Sequence, residues 1–216
     1  MEDKNMYMTL SVLGLIGGVL CAMADVLLDL KGKDNKKLGE NALVDSKWED
    51  MSEWRFKASI LLVMIAVPLY AMGLWSLGEQ IGNTMGVILK LVTFVGSMGG
   101  FFIHTFLCLM PIVYKNSKDK EQAVVLIDKL YSAIKIPFLL LYFVLTLATT
   151  VIVMIAIVNG SLTVPWFCML LNPIVFMIIG IVLRFIKYDV FCDLPGICMP
   201  SLGLGMFGLI GIMNLL

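Results

Sequence analysis

The sequence predicts an all-α integral membrane bundle of six transmembrane helices, with an amphipathic interfacial helix before the fourth. Three observations predict it. Of 216 residues, 60% are hydrophobic and 15% charged, where a soluble domain runs to about half and about a quarter. Charge-free runs recur at the length a bilayer crossing needs, about 20 residues. The basic side chains gather in alternate connections between those runs. A mean hydropathy of +0.95 excludes a soluble enzyme, a disordered regulator and a secreted disulfide scaffold. The net charge of zero gives no footprint for nucleic acid.

The first span is 8–28, free of charge until Asp25. Ala22-Met23-Ala24 resembles a signal-peptide cleavage site, but the chain begins Glu2-Asp3 rather than with positive charge, so the segment reads as a retained helix. The 31–57 connection is polar and mixed in charge, and reads as a solvated loop with a short helix near 45–54. The second span is 58–78. The third is 88–114, interrupted after Lys90 only by His104. Ser117 can then cap a helix carrying Asp119 and Glu121 in its first turn. Ala123, Ile127, Leu130, Tyr131 and Ile134 fall on one face of it, so it lies in the inner interface or extends the fourth span.

Residues 136–183 hold 48 positions without a charge, too many for one crossing. Asn159-Gly160-Ser161 and Pro165 mark a turn, which divides the run into spans 136–158 and 163–187. The 188–199 connection, with Asp189, Asp193 and Pro195-Gly196, is compact and turn-rich. The last span, 200–216, reaches about 25 Å, and crosses if the chain ends at the far interface. One transmembrane domain covers 1–216.

Charge placement sets the orientation. Fourteen of the sixteen basic residues lie in 31–57, in 115–135, or at Arg184 and Lys187. Only Lys4 and Lys90 fall on the other side. The expected protein sits in the plasma membrane with both termini outside and the connections 31–57, 115–135 and 188–199 in the cytoplasm. Trp54, Tyr114 and Tyr131 at the inner interface, and Tyr7, Trp75 and Trp166 at the outer, fit that placement as aromatic anchors.

Polar residues inside spans are costly and face the bundle interior or a cavity. In the first span Gly14, Gly18, Ala22, Asp25 and Asp29 stack on one helix face. Asp25 is the deeper carboxylate; it either pairs with a base such as Arg184 or faces a ligand. In the third, Gly96, Gly100, His104 and Cys108 repeat at four residues. His104, the sole histidine, either hydrogen-bonds a neighbouring helix or serves as a proton relay, ligand donor or general base. In the fifth, Asn172, Phe176, Gly180 and Arg184 share a face, and Asn172-Pro173 predicts a mid-helix kink. The fourth contributes Tyr142, Thr146, Thr149 and Thr150. The expected ligand-binding residues are Asp25, His104, Asn172, Arg184, Asp29 and Tyr142. Asp25, His104 and Arg184 are expected around one pocket in the cytoplasmic half.

Some signals have plainer readings. Gly203-Leu204-Gly205-Met206-Phe207-Gly208 matches a dinucleotide fingerprint, yet it lies in the last apolar span, where helix packing explains it. Cys21, Cys108, Cys168, Cys192 and Cys198 lack zinc spacing and read as free thiols. Asn159-Gly160-Ser161 is a glycosylation sequon better explained as a turn.

Phe101-Phe102-Ile103-His104, Leu171-Asn172-Pro173 and the stretch 199–208, with the stretches 24–29 and 54–57, resemble a family of small bacterial polytopic membrane proteins of unknown function. The resemblance covers nearly the whole chain and implies a six-helix membrane domain. It carries over no activity and no functional residue. Membrane hydrolases of the ceramidase and progestin-receptor-like group hold zinc with several histidines and an aspartate; with one histidine this chain departs from that pattern, so no metal and no cofactor are expected.

Three functions remain open. The first is binding or transport of a small polar or amphipathic molecule, with a partner membrane protein to energise uptake. The second is a non-catalytic membrane partner or scaffold. The third is an intramembrane lipid-modifying enzyme using His104 or Asp25 as acid or base. Membrane lipids surround the chain in all three, and none involves nucleic acid.

Overall fold

Long charge-free runs become long helices, because a backbone out of water satisfies its hydrogen bonds internally. The computed structural model describes residues 2–216 and is all-α apart from one two-residue strand pair. Its helices are α1 (Glu2–Asp29), α2 (Glu53–Ile81), α3 (Thr84–Asn116), α4 (Lys120–Phe143), α5 (Thr149–Val158), α6 (Pro173–Ile186), the single turn α7 (Tyr188–Phe191) and α8 (Met199–Leu215). A π-helical turn, Val144–Ala148, joins α4 to α5, so 120–158 is one continuous rod. Four stretches are long and apolar enough to cross a membrane: Asp3–Asp29, Glu53–Ile81, Thr84–Asn116 and Lys120–Val158. Helices α6 and α8 are apolar but shorter, at 14 and 17 residues.

Two boundaries follow from local chemistry. Gly82, at φ +70°, closes α2 in the left-handed conformation a glycine takes without strain. Asn83 then opens α3, its side chain accepting from the Met85 N–H at 2.8 Å.

Three sequence expectations are corrected. There is no separate interfacial helix before the fourth span. No breaker separates 120 from 158, and Pro137 sits within the helix without ending it. Its cap is Asp119, accepting from the Gln122 N–H at 3.0 Å, because Ser117 already closes α3 through its own N–H. The fifth helix starts ten residues later than expected. The turn at 159–161 leads into a 3-10 turn, Trp166–Leu170, and α6 begins at Pro173. Asn172-Pro173 is therefore a helix start, with Asn172 Oδ1 accepting from the Val175 N–H at 3.0 Å and Pro at the first position.

The third correction concerns 31–52, which is folded rather than solvated. Lys37–Leu38 pairs antiparallel with Val44–Asp45, and Ser46–Glu49 forms a 3-10 turn. Val44, Trp48 and Met51 are buried against Phe56, Tyr114, Ile127 and Tyr131. The Trp48 ring meets Tyr114 edge-on with centroids 6.2 Å apart. Lys31 Nζ reaches Asp29 at 2.5 Å and Asp45 at 2.7 Å, and Lys37 reaches Asp45 at 2.7 Å. Burial works against both charges, but the Asp29 and Asp45 carboxylates hold the Lys31 pKa above its usual value. Lys31 in turn, with hydrogen bonds from Lys37 and Asn35, holds Asp45 below the usual carboxylate range.

Helix α1 packs against α2 and α8. Gly14 and Gly18 let it approach α2 and α8 backbone to backbone: a Cβ on Gly14 would fall 2.5 Å from Gly73 Cα, and one on Gly18 would collide with Gly205. The 203/205/208 glycines are this packing surface: Gly205 and Gly208 meet α1, and Gly203 meets Pro173. Arg55 of α2 closes the other end of α1, donating to the carbonyls of Val26, Leu27 and Leu30 at 3.0–3.1 Å.

The basic connections meet at one end. Asp193 accepts from the Lys31 and Gly32 N–H groups at 2.8 and 2.6 Å, Lys33 pairs with Asp189 at 3.1 Å, and Asp128 accepts from the Glu40 N–H at 2.7 Å. At the opposite end Asn83 donates to Ser161 at 3.2 Å, and Asn214 accepts from the Thr163 N–H at 2.7 Å.

Candidate functional site

The four-residue spacings of α1 and α3 each carry a small-residue stripe to an ionisable group. Helix packing brings the two groups together. Asp25 Oδ1 lies 3.5 Å from His104 Nδ1. Ser201 of α8 donates to Asp25 Oδ2 at 2.5 Å. On the far side of the imidazole, Ser59 Oγ lies 2.8 Å from Nε2. Ser59 has one proton, and it goes to the Ala24 carbonyl at 2.8 Å. Its oxygen therefore accepts the His104 Nε2–H, and also faces Cys108 Sγ at 3.5 Å. With the Ser59 proton on the Ala24 carbonyl, His104 takes the Nε2–H tautomer and turns Nδ1 to the carboxyl of Asp25.

This pair lines a chain of three cavities. The innermost, about 130 Å³, is walled by Cys21, Val67, Tyr70, Tyr142 and Leu204 besides the pair. A middle one of about 270 Å³ shares Asp25, His104, Tyr142 and Ser201 with it and adds Ile103, Phe138 and Leu141. The outermost, a vestibule of about 480 Å³ at the basic end, shares Leu28, Asp29, Leu107, Phe138 and Gly196 with the middle one. Its rim carries Lys31, Lys33, Lys37, Asp45 and Arg184.

The six residues singled out by sequence are distributed as follows. Asp25, His104 and Tyr142 line the inner and middle cavities, and Asp29 the middle one and the vestibule. Arg184 lines the vestibule, its guanidinium 5.3 Å from the centre of the Tyr188 ring. It does not pair with Asp25, whose partners are Ser201 and His104. Asn172 lines none of the three; both ends of its amide are used locally, Oδ1 as the α6 cap and Nδ2 on the Met169 carbonyl at 2.6 Å.

Sequence reasoning missed Ser59, Ser201 and Tyr70. Serines in helices commonly bond back to their own backbone, so Ser59 and Ser201 gave no signal; here both bond across helices. The threonines do behave in the common way. Thr146, Thr149 and Thr150 donate to the carbonyls of Tyr142, Leu145 and Thr146. Thr146 lies in the π-helical turn and Thr149 and Thr150 open α5 just after it; Tyr142, Leu145 and Thr146 line the inner cavity together. Among the described residues no three His, Cys, Asp or Glu side chains gather to hold a metal ion.

The fold and the cavity define an all-helical apolar bundle, with helices fit to cross a membrane and a polar recess opening at its basic end. The chain belongs to a family of unknown function, DUF6796, which matches residues 1–216. No curated protein and no solved structure matches it.

Proposed function

We propose that the protein binds or transports a small polar or amphipathic molecule through the cavity running from the Lys31–Asp45 rim to the Asp25–His104 floor. The observation that carries this reading is that the three cavities adjoin in series, each sharing lining residues with the next. An ionisable pair within apolar helices is expensive to keep, and such groups mark ligand and ion paths. The chain is one domain over 1–216 that crosses the cell membrane six times. Helix α6 completes its crossing with the 163–172 segment, and α8 spans about 25 Å. Both termini lie outside and the connections 31–57, 115–135 and 188–199 are cytoplasmic. The clustering of basic side chains at the end where 31–52 folds supports that orientation.

Native mass spectrometry of the gently solubilised protein tests the reading. The expected result is a defined co-purified mass that is lost in Asp25→Asn and in His104→Gln. A mass untouched by both substitutions, or a protein that neither carries a bound mass nor binds an added probe, overturns it.

A further inference from the structure

We infer that the ligand is a small organic cation with an apolar body, and that it enters the inner cavity in exchange for one proton held between Asp25 and His104. This rests on the cavity being a binding site. The proton follows from the hydrogen-bond inventory. With Ser59 donating to Ala24 and accepting the Nε2–H, His104 Nδ1 is a bare acceptor facing a carboxyl oxygen at 3.5 Å. Two acceptors oppose each other unless a proton sits between them. The pair therefore holds one, as carboxylic acid with neutral imidazole or as carboxylate with imidazolium, and is neutral either way.

Loss of that proton leaves one negative charge that the protein does not compensate. The titratable groups around Asp25 are Cys21 and Asp29 on its own helix, Tyr70 from α2, His104 and Cys108 from α3, Tyr142 from α4 and Cys198 at the start of α8. None of these is a lysine or arginine, and no lysine or arginine lines the inner or middle cavity. Asp29 is already neutralised by Lys31 at 2.5 Å, Lys37 serves Asp45, and Arg184 rests over Tyr188 in the vestibule. An unpaired charge in an apolar interior is costly, so a cation arriving at Asp25 takes the place of the proton, which leaves to water.

The walls select the rest of the molecule. Tyr70, Phe138 and Tyr142 present aromatic rings, which attract an ammonium group. Ile103, Leu141 and Leu145 surround its apolar part. Volumes of about 130 and about 270 Å³ lie below the usual range of ligand pockets, about 300–1,000 Å³, which favours a small amine over a lipid.

The test uses the full chain in lipid nanodiscs and benzyltrimethylammonium, whose fixed charge brings no proton of its own. Titration calorimetry in buffers of different ionisation heat counts the protons exchanged. The expected result is release of one proton per cation, with affinity rising up to about tenfold per pH unit while the pair is protonated, and loss of both in Asp25→Asn. Binding with no proton release overturns the exchange. Binding of benzoate or benzyl alcohol in place of the cation overturns the cation class while sparing the binding reading; no probe bound and no co-purified mass overturns both. Because His104 is the sole histidine, ¹⁵N-histidine labelling reads its tautomer in the wild-type protein without any variant. An Nε2–H signal, with Nδ1 changing when the cation binds, is expected; an Nδ1–H tautomer in the neutral ring overturns the proton assignment.

Discussion

Ser201 Oγ donates to Asp25 Oδ2 at 2.5 Å, a polar tie between α8 and α1 amid glycine contacts. A hydrogen bond to a charged group contributes about 1.5–3 kcal/mol, and removing its donor leaves Asp25 with His104 alone. Ser201→Ala is expected to lower thermal stability in detergent by about 2 kcal/mol. Combined with Asp25→Asn, the loss should fall short of the sum of the two single losses. Additivity within about 0.5 kcal/mol would show that the two residues act independently.

The backbone approach of Gly18 to Gly205 leaves no room for a side chain. Gly205→Val forces α8 away from α1 and is expected to destabilise by about 3 kcal/mol, the upper part of the overpacking range. Gly196→Ala is the control, since an added Cβ there meets nothing closer than 3.8 Å; it should change stability by less than about 0.5 kcal/mol. Equal losses in the two variants would remove the packing explanation.

The Lys31–Asp45 pair makes the docked 31–52 segment pH-dependent. Asp45 is held below its usual range, so its contribution is present above the unfolded value of 3.8 and fades as pH falls through the lowered value. Lys31 is held above 10.5, so its contribution is present below 10.5 and fades as pH rises through the raised value. The segment is therefore expected to stay docked across neutral pH and to loosen in strong acid. Hydrogen exchange at 44–51 reads this directly. Asp45→Asn should raise that exchange already at neutral pH, by an amount equivalent to about 2 kcal/mol, because Lys31 keeps only Asp29 and Lys37 loses its partner. Unchanged exchange would assign the docking to Val44, Trp48 and Met51 alone.

What the sequence made legible depended on how strongly each pattern stood against its background. The long helices were plain because charges are missing from whole runs, and Asn159-Gly160-Ser161 punctuates the longest of them. The approach of His104 to Asp25 was legible because a four-residue spacing holds one helix face over several turns. Arg184 lies in the last turn of α6, where it lines the vestibule and meets Tyr188 instead of reaching Asp25, and only the packing of α6 shows this. Val44, Trp48 and Met51 do follow helix-like apolar spacing, but lysines and aspartates around them masked it. Asp45 looked like one more solvated charge, and only the fold brings Lys31 and Lys37 to it. Ser59 and Ser201 left no trace, since nothing in a single chain distinguishes a serine bonding across helices from one bonding to its own.

The six-crossing topology makes a sharp prediction about access. Of the two basic residues expected outside, Lys90 is already paired with Glu79 at 2.8 Å and lies over the Trp75 ring at 5.4 Å. Orientation follows the count of Lys and Arg rather than net charge, and fourteen basic residues at one end against two at the other set it. Thr84, the first residue of α3, and Lys118, two residues past its end, are both exposed. With the native cysteines replaced, Thr84→Cys should react with a membrane-impermeant maleimide added to intact cells. Lys118→Cys should react only after the membrane is opened. The reverse pattern would invert the protein, moving the vestibule and its ligand to the outside. Labelling of both from one side would deny that α3 crosses, and with it the pairing of Asp25 and His104 inside the membrane.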